Sequence, residues 1–104
     1  MVVFRSSKIE SLVGLAYRAG KVALGTAAVE EVLQKKKAKL LILSADISAN
    51  TENHFVRLLE NSGSQLLKTG TKRNWGARFG RKELAVLAIL DVHFASGILE
   101  AAKK

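Results

Sequence analysis

The residues able to do chemistry fall into two sets. The first would bind anions. Gly25-Thr26 precedes a stretch with helical apolar spacing, a composition that starts a helix. The first amides of such a helix have no internal partner, and the helix dipole makes that end positive, so it attracts phosphate. Arg18 and Lys21 lie just before it, and a run of Lys35, Lys36, Lys37 and Lys39 closes the same segment. Farther on, Lys68, Lys72, Arg73, Arg78, Arg81 and Lys82 stand in a stretch without an acidic residue. Contacts from such cations set register and affinity on a nucleic acid, not sequence preference. The bland alternatives are a plain cap at Gly25-Thr26 and a solvated helix end at the lysine run.

The second set would do acid–base or metal chemistry, and it is thin. His54 and His93 are the only histidines, and both fall in helical stretches. Asp46 and Asp91 follow apolar runs, where open α/β sheets often bind ligands. Capping the next helix, or holding a loop, explains each equally well. Ser44, His54 and Asp46 make a triad on paper, but no G-x-S-x-G turn accompanies them. There is no phosphate-binding glycine loop of either standard kind, and without cysteine there is no thiolate zinc pattern. The expectation is a protein with no catalytic residues, cofactor or metal.

Composition points the same way. In 104 residues, 17 Lys and Arg face nine Asp and Glu, a net charge of +8. That balance suits a polyanionic partner, nucleic acid before a membrane surface. Hydrophobic residues make up 48%, enough for a core in one domain covering 1–104. No apolar run approaches the roughly 20 residues of a membrane span, and Met1-Val2-Val3-Phe4-Arg5 does not open like a signal peptide. These readings predict a soluble cytoplasmic protein with no membrane partner.

The elements that must position these residues alternate. Ser7 and Glu10 have capping-box spacing ahead of Ile9, Leu12, Val13 and Ala16, and Gly20 is a C-terminal stop. Val22-Ala23-Leu24 reads as a short strand. Gly25 or Thr26 caps a helix that buries Ala28, Val29, Val32 and Leu33. Leu40-Leu41-Ile42-Leu43 is apolar at every position, a strand covered on both faces. Ser48 or Asn50 caps a third helix ending at Gly63, and Gln65–Lys68 is a strand. Thr71 caps a short helix with Trp75 and Phe79, stopped by Gly80. At helical spacing from Phe79, Trp75 reads as core rather than as a base-stacking ring. Ala85–Leu90 is another covered strand, and Asp91 caps the last helix. This alternation predicts an α/β fold, a three-layer α/β/α sandwich around a small sheet.

Several segments taken together resemble a known family. They are Leu12–Gly25 (LVGLAYRAGKVALG), Leu40–Asp46 (LLILSAD), Trp75–Gly80 (WGARFG) and Ala88–Glu100 (AILDVHFASGILE). The chain looks like the kink-turn RNA-binding ribosomal proteins of the L-seven-Ae and L-thirty-e type, in particular their small bacterial YlxQ-like branch. The resemblance implies a mixed four-stranded sheet between helices and binding to a kinked RNA internal loop. In that family the RNA-reading edge has three parts: a Gly-Thr-Asn-Glu helix start with a Lys three positions on, an acidic pair plus an apolar residue after the central strand, and an apolar loop before the last strand.

Carried over residue by residue, Gly25 and Thr26 match. Ala27 stands at the Asn position, Ala28 at the Glu position and Glu31 at the Lys position. Asp46 and Ile47 match, with Ala45 in place of the other acid, and Leu84-Ala85 fits the apolar loop. The implied function is non-catalytic binding of structured RNA, ribosomal or other, by a monomer linked to translation. Arg18, Lys21, Lys35, Arg73 and Arg78 would hold the backbone, while Ile47 and Leu84 would meet an unstacked base. The departures at 27, 28 and 31 keep a second reading open: a ribosome-associated protein-interaction module with only non-specific RNA affinity.

Overall fold

The computed structural model describes residues 2–103, with side chains from Lys8 onward. Nine elements alternate along it. They are α1 (Val2–Arg18), β1 (Val22–Leu24), α2 (Thr26–Gln34), β2 (Leu40–Leu43), α3 (Ala49–Glu60), β3 (Gln65–Lys68), α4 (Lys72–Arg78), β4 (Val86–Ile89) and α5 (Val92–Lys103). The strands form one sheet in the order β1-β4-β2-β3. β4 runs antiparallel to both β1 and β2, and β3 runs parallel to β2.

The sheet divides the core as strand alternation requires. Leu40 and Ile42 of β2 and Leu87 and Ile89 of β4 face Ile9 and Val13 of α1, Trp75 of α4, and Ala95 and Ile98 of α5. Leu41, Leu43, Val86 and Ala88 face Val29 and Leu33 of α2 and Phe55 of α3. The expected three-layer α/β/α sandwich with a mixed four-stranded sheet is therefore present. Both central strands are buried at every position, which is why each reads as an unbroken apolar run.

Backbone turn chemistry sets the joints. After α1, Lys21 N–H donates to Ala16 C=O and Gly20 N–H to Tyr17 C=O, with Gly20 at φ +74°. That is a Schellman end, which needs a left-handed residue. α4 ends the same way: Arg81 N–H reaches Gly76 C=O, and Gly80 sits at φ +70°. α2 also repeats it, but Lys36 occupies the left-handed position at φ 59°. Ser48 Oγ accepts from Thr51 N–H to cap α3, and Thr71 Oγ1 accepts from Asn74 N–H to cap α4. Asp91 Oδ1 accepts from His93 and Phe94 N–H to cap α5.

Two expectations are corrected and one choice between alternatives is resolved. Ser7 lies inside α1, which begins at Val2, so it is not the cap; its side chain is outside the described residues. The last strand is shorter by one residue at each end, Val86–Ile89. At α2 the cap is Gly25, with Thr26 as the first helical residue.

Candidate nucleic-acid interface

The sheet topology brings three loops to one end. Gly25 N–H donates to Val86 C=O (3.0 Å), Ser44 N–H to Ala85 C=O (2.9 Å), and Ala45 N–H to Gly70 C=O (2.7 Å). Leu84 N–H donates to Lys72 C=O (2.9 Å), and Asp46 Oδ1 accepts from Lys72 N–H (2.9 Å). The α2 start, the β2–α3 loop and the loop before β4 are thus stitched together at the C-terminal ends of β1 and β2.

The α2 start is built to leave donors free. Gly25 has φ 87° and ψ 168°, a region open essentially to glycine alone. This sharp turn aims the first amides of the helix outward. Val29 is the first to close a helical bond, to Gly25 C=O. The amides of Thr26, Ala27 and Ala28 have no such partner. Thr26 and Ala27 are exposed, and no acidic residue stands in the first turn to offset the dipole.

A cation approaches this start from across the chain. A Cβ placed on Gly25 would lie 3.0 Å from Nη1 of Arg81. Gly76 fixes the loop that carries Arg81: a Cβ there would lie 2.7 Å from Arg81 C=O and 2.9 Å from the Glu83 backbone. α4 therefore rests directly on that loop. The sequence marks Arg81 only as one cation of the acid-free stretch, not as one of the residues expected to hold an RNA backbone. Its sign was the acid-free stretch around it, but nothing in the linear order ties it to Gly25.

Asp46 is committed to holding α4. The Lys72 N–H bound to it keeps its carboxyl below the usual carboxylate range. Arg73, exposed on the first turn of α4, stands beside that contact. Trp75 is 2% exposed and donates Nε1–H to Thr69 C=O (2.9 Å), the core role expected of it. Ile47 and Leu84 are 9% and 3% exposed and belong to opposite core layers, so neither presents an apolar surface to a base. Ala85, half-buried, is the more open of the loop pair.

Other expected residues lie elsewhere. Lys21 sits at the opposite end of β1, where its C=O accepts from Leu90 N–H. Lys35 is at the far end of α2, about 15 Å of helix from Gly25, and pairs with Glu31 (2.8 Å). That exposed pair holds Glu31 below its usual pKa through the Lys35 hydrogen bond. Arg18 and Arg78 come together instead with Gly14, Tyr17 and Phe79 around a cleft between α1 and α4. His54 pairs with Glu30 across α3 and α2, a bracing contact. Among the described residues no three His, Asp or Glu cluster as metal ligands, and no helix is long and apolar enough to cross a membrane.

This geometry can hold an anionic backbone at the α2 start, with Arg81 beside it. Comparison with known proteins agrees with the fold on which it is built. Residues 7–98 match the model of the ribosomal protein L7Ae/L30e/S12e/Gadd45 family. The chain is 30% identical over 88 residues to the RNA-binding protein YlxQ of Bacillus subtilis (strain 168), covering 85% of this chain and 88% of that one. A protein of unknown function from Bacillus halodurans C superposes with a TM-score of 0.84 at 25% identity, covering 93% of this chain and 98% of that one. The Giardia lamblia 15.5kD RNA binding protein shares the fold at a TM-score of 0.75 and 19% identity, covering 95% and 85%. The chain belongs to the ribosomal protein L7Ae/L30e/S12e/Gadd45 family, in its YlxQ-like branch.

Proposed function

We propose that this protein is a non-catalytic RNA-binding module of the cytoplasm, acting in translation as a monomer on structured, kink-turn-like RNA. The observation that carries the reading is the loop end itself. Three unpartnered α2 amides and an arginine from the loop before β4 converge at a helix turn that holds no acid to offset the dipole. Phosphate is the group that such donors fit. The family membership and the name of the YlxQ relative support RNA as the polyanion.

The recognition differs from the family pattern. Ala27 and Ala28 leave the helix start without side chains that read base edges, and Glu31 is engaged by Lys35. The contact is therefore one of backbone and shape, with the RNA approaching the α2 amides closely.

Titration against a kink-turn RNA, an unkinked duplex and a transfer RNA at two salt concentrations tests this. Two phosphate contacts at the loop end, from Arg73 and Arg81, predict an affinity loss of about 7- to 12-fold between roughly 50 and 200 mM salt. Preference for the kinked RNA at both concentrations is the expected result. Equal affinity for all three would assign the protein to non-specific RNA attraction, as for a ribosome-associated interaction module.

A further inference from the structure

We infer that the cleft between α1 and α4 is a second RNA-contact site, holding one unpaired nucleotide with its base on Tyr17 and its phosphate between Arg18 and Arg78. This rests on the reading that RNA is the ligand, and it names a place the loop end does not include.

The cleft has a volume of about 380 Å³ and is lined by Gly14, Tyr17, Arg18, Arg78 and Phe79. That size lies in the range of small-ligand sites. Tyr17 is the only tyrosine of the chain and is 48% exposed, although it lies on a helix with a buried face. Its ring meets Phe79 at 4.9 Å between centroids and 57° between planes. Phe79 thus fixes the tyrosine ring while nearly half of Tyr17 stays in water. A fixed, exposed ring is what an unstacked base requires.

Gly14 supplies the floor. A Cβ there would lie 3.1 Å from Arg78 Nη2, so the missing side chain lets the guanidinium lie against α1. A glycine in mid-helix weakens the helix, and the gain here is that close approach. Arg18 and Arg78 each end a helix, which suits the dipoles. That role does not require both to line one cleft, and no acidic residue lines it with them. A phosphate between them relieves the repulsion, and guanidinium planes also stack on bases. Arg81 comes three residues after Arg78, in the loop just beyond the end of α4, and reaches Gly25, so a strand leaving the cleft meets the α2 start past the end of α4.

The test uses 5′-phosphorylated tetra-adenylate, labelled for fluorescence anisotropy, against the full chain. Loss of one base–aromatic stack predicts that Tyr17→Ala weakens binding by about 5- to 150-fold, while Tyr17→Phe stays within about twofold. Arg18→Gln with Arg78→Gln should reduce the slope of log K against log salt by about 1.4. The arginine pair keeps the test open should Tyr17→Ala fail to fold. Absence of tetra-adenylate binding, or binding indifferent to both Tyr17 and the arginines, would overturn the inference. So would displacement of tetra-adenylate by an equal concentration of tetra-glutamate, which would assign the cleft to acidic peptides. If a structured RNA still binds and still responds to Ala27→Asp, the loop-end reading survives that failure.

Discussion

Replacing Ala27 by aspartate should move stability and RNA affinity in opposite directions. Ala27 is exposed in the first turn of α2, beside amides with no helical partner and with no acid in that turn. Ala27→Asn is the proper reference, because it matches aspartate in shape and differs in charge. A carboxylate at this end gains about 0.5 kcal/mol from the dipole at low salt. For a domain of this size that raises Tm by about 2–4 °C over the asparagine variant. A phosphate seated on the same amides would lie about 6 Å from the new charge. At an effective dielectric of roughly 20–80, the repulsion is about 0.7–3 kcal/mol, or about 3- to 100-fold in affinity. Thermal melts and titrations of a kink-turn RNA on the two variants give both numbers. Equal RNA affinity for Asp and Asn, with the Tm difference present, would refute the placement of RNA at this helix start.

Three further outcomes follow from the same geometry. Lys36→Gly should stabilise the fold by about 0.5–1 kcal/mol, read by urea denaturation, because a lysine now occupies the left-handed position that ends α2. Gly70→Ala should cost about 3 kcal/mol in the same assay: its Cβ would lie 2.5 Å from Trp75 Nε1, at φ +74°. Asp46 and Asp91 have carboxyls held below their usual range, first by the Lys72 N–H and the Phe94 N–H respectively. A lowered folded pKa contributes stability above the unfolded value, near 3.9, that is lost as pH falls through the folded one. Asp46→Asn with Asp91→Asn should therefore flatten the fall of Tm below about pH 4.

Local chemistry made much of the fold legible. Gly20 and Gly80 mark left-handed helix ends because only such a residue closes a Schellman turn cheaply, and Leu40–Leu43 is apolar throughout because both faces are covered. The start of α1 was not legible, since a serine three residues before a glutamate fits inside a helix as well as at its cap. Nor was sheet order, which depends on partners far apart in sequence. That gap explains the site as well. Lys21 and Lys35 adjoin Gly25 along the chain, yet a three-residue strand and a nine-residue helix carry them to the other end of the sheet. Arg81 is remote in sequence and lies against Gly25. Ile47 and Leu84 read as loop residues but close the two core layers, because each loop turns directly off a buried strand.

The place of β4 in the sheet has a consequence for how the chain is made. β1 and β2 never pair with each other; each pairs with β4. Synthesis from Leu43 to Ile89, at roughly 5–20 residues per second, takes seconds. Throughout that interval β1 has no strand partner, and the edge of β2 that will receive β4 is open. A nascent chain released before Val86 would carry Leu41 and Leu43 on an unfinished sheet edge, the kind of surface that chaperones hold and aggregates extend. Completion is therefore late and abrupt: one four-residue strand joins the two halves, and the α2 start and the loop before β4 meet only at that moment.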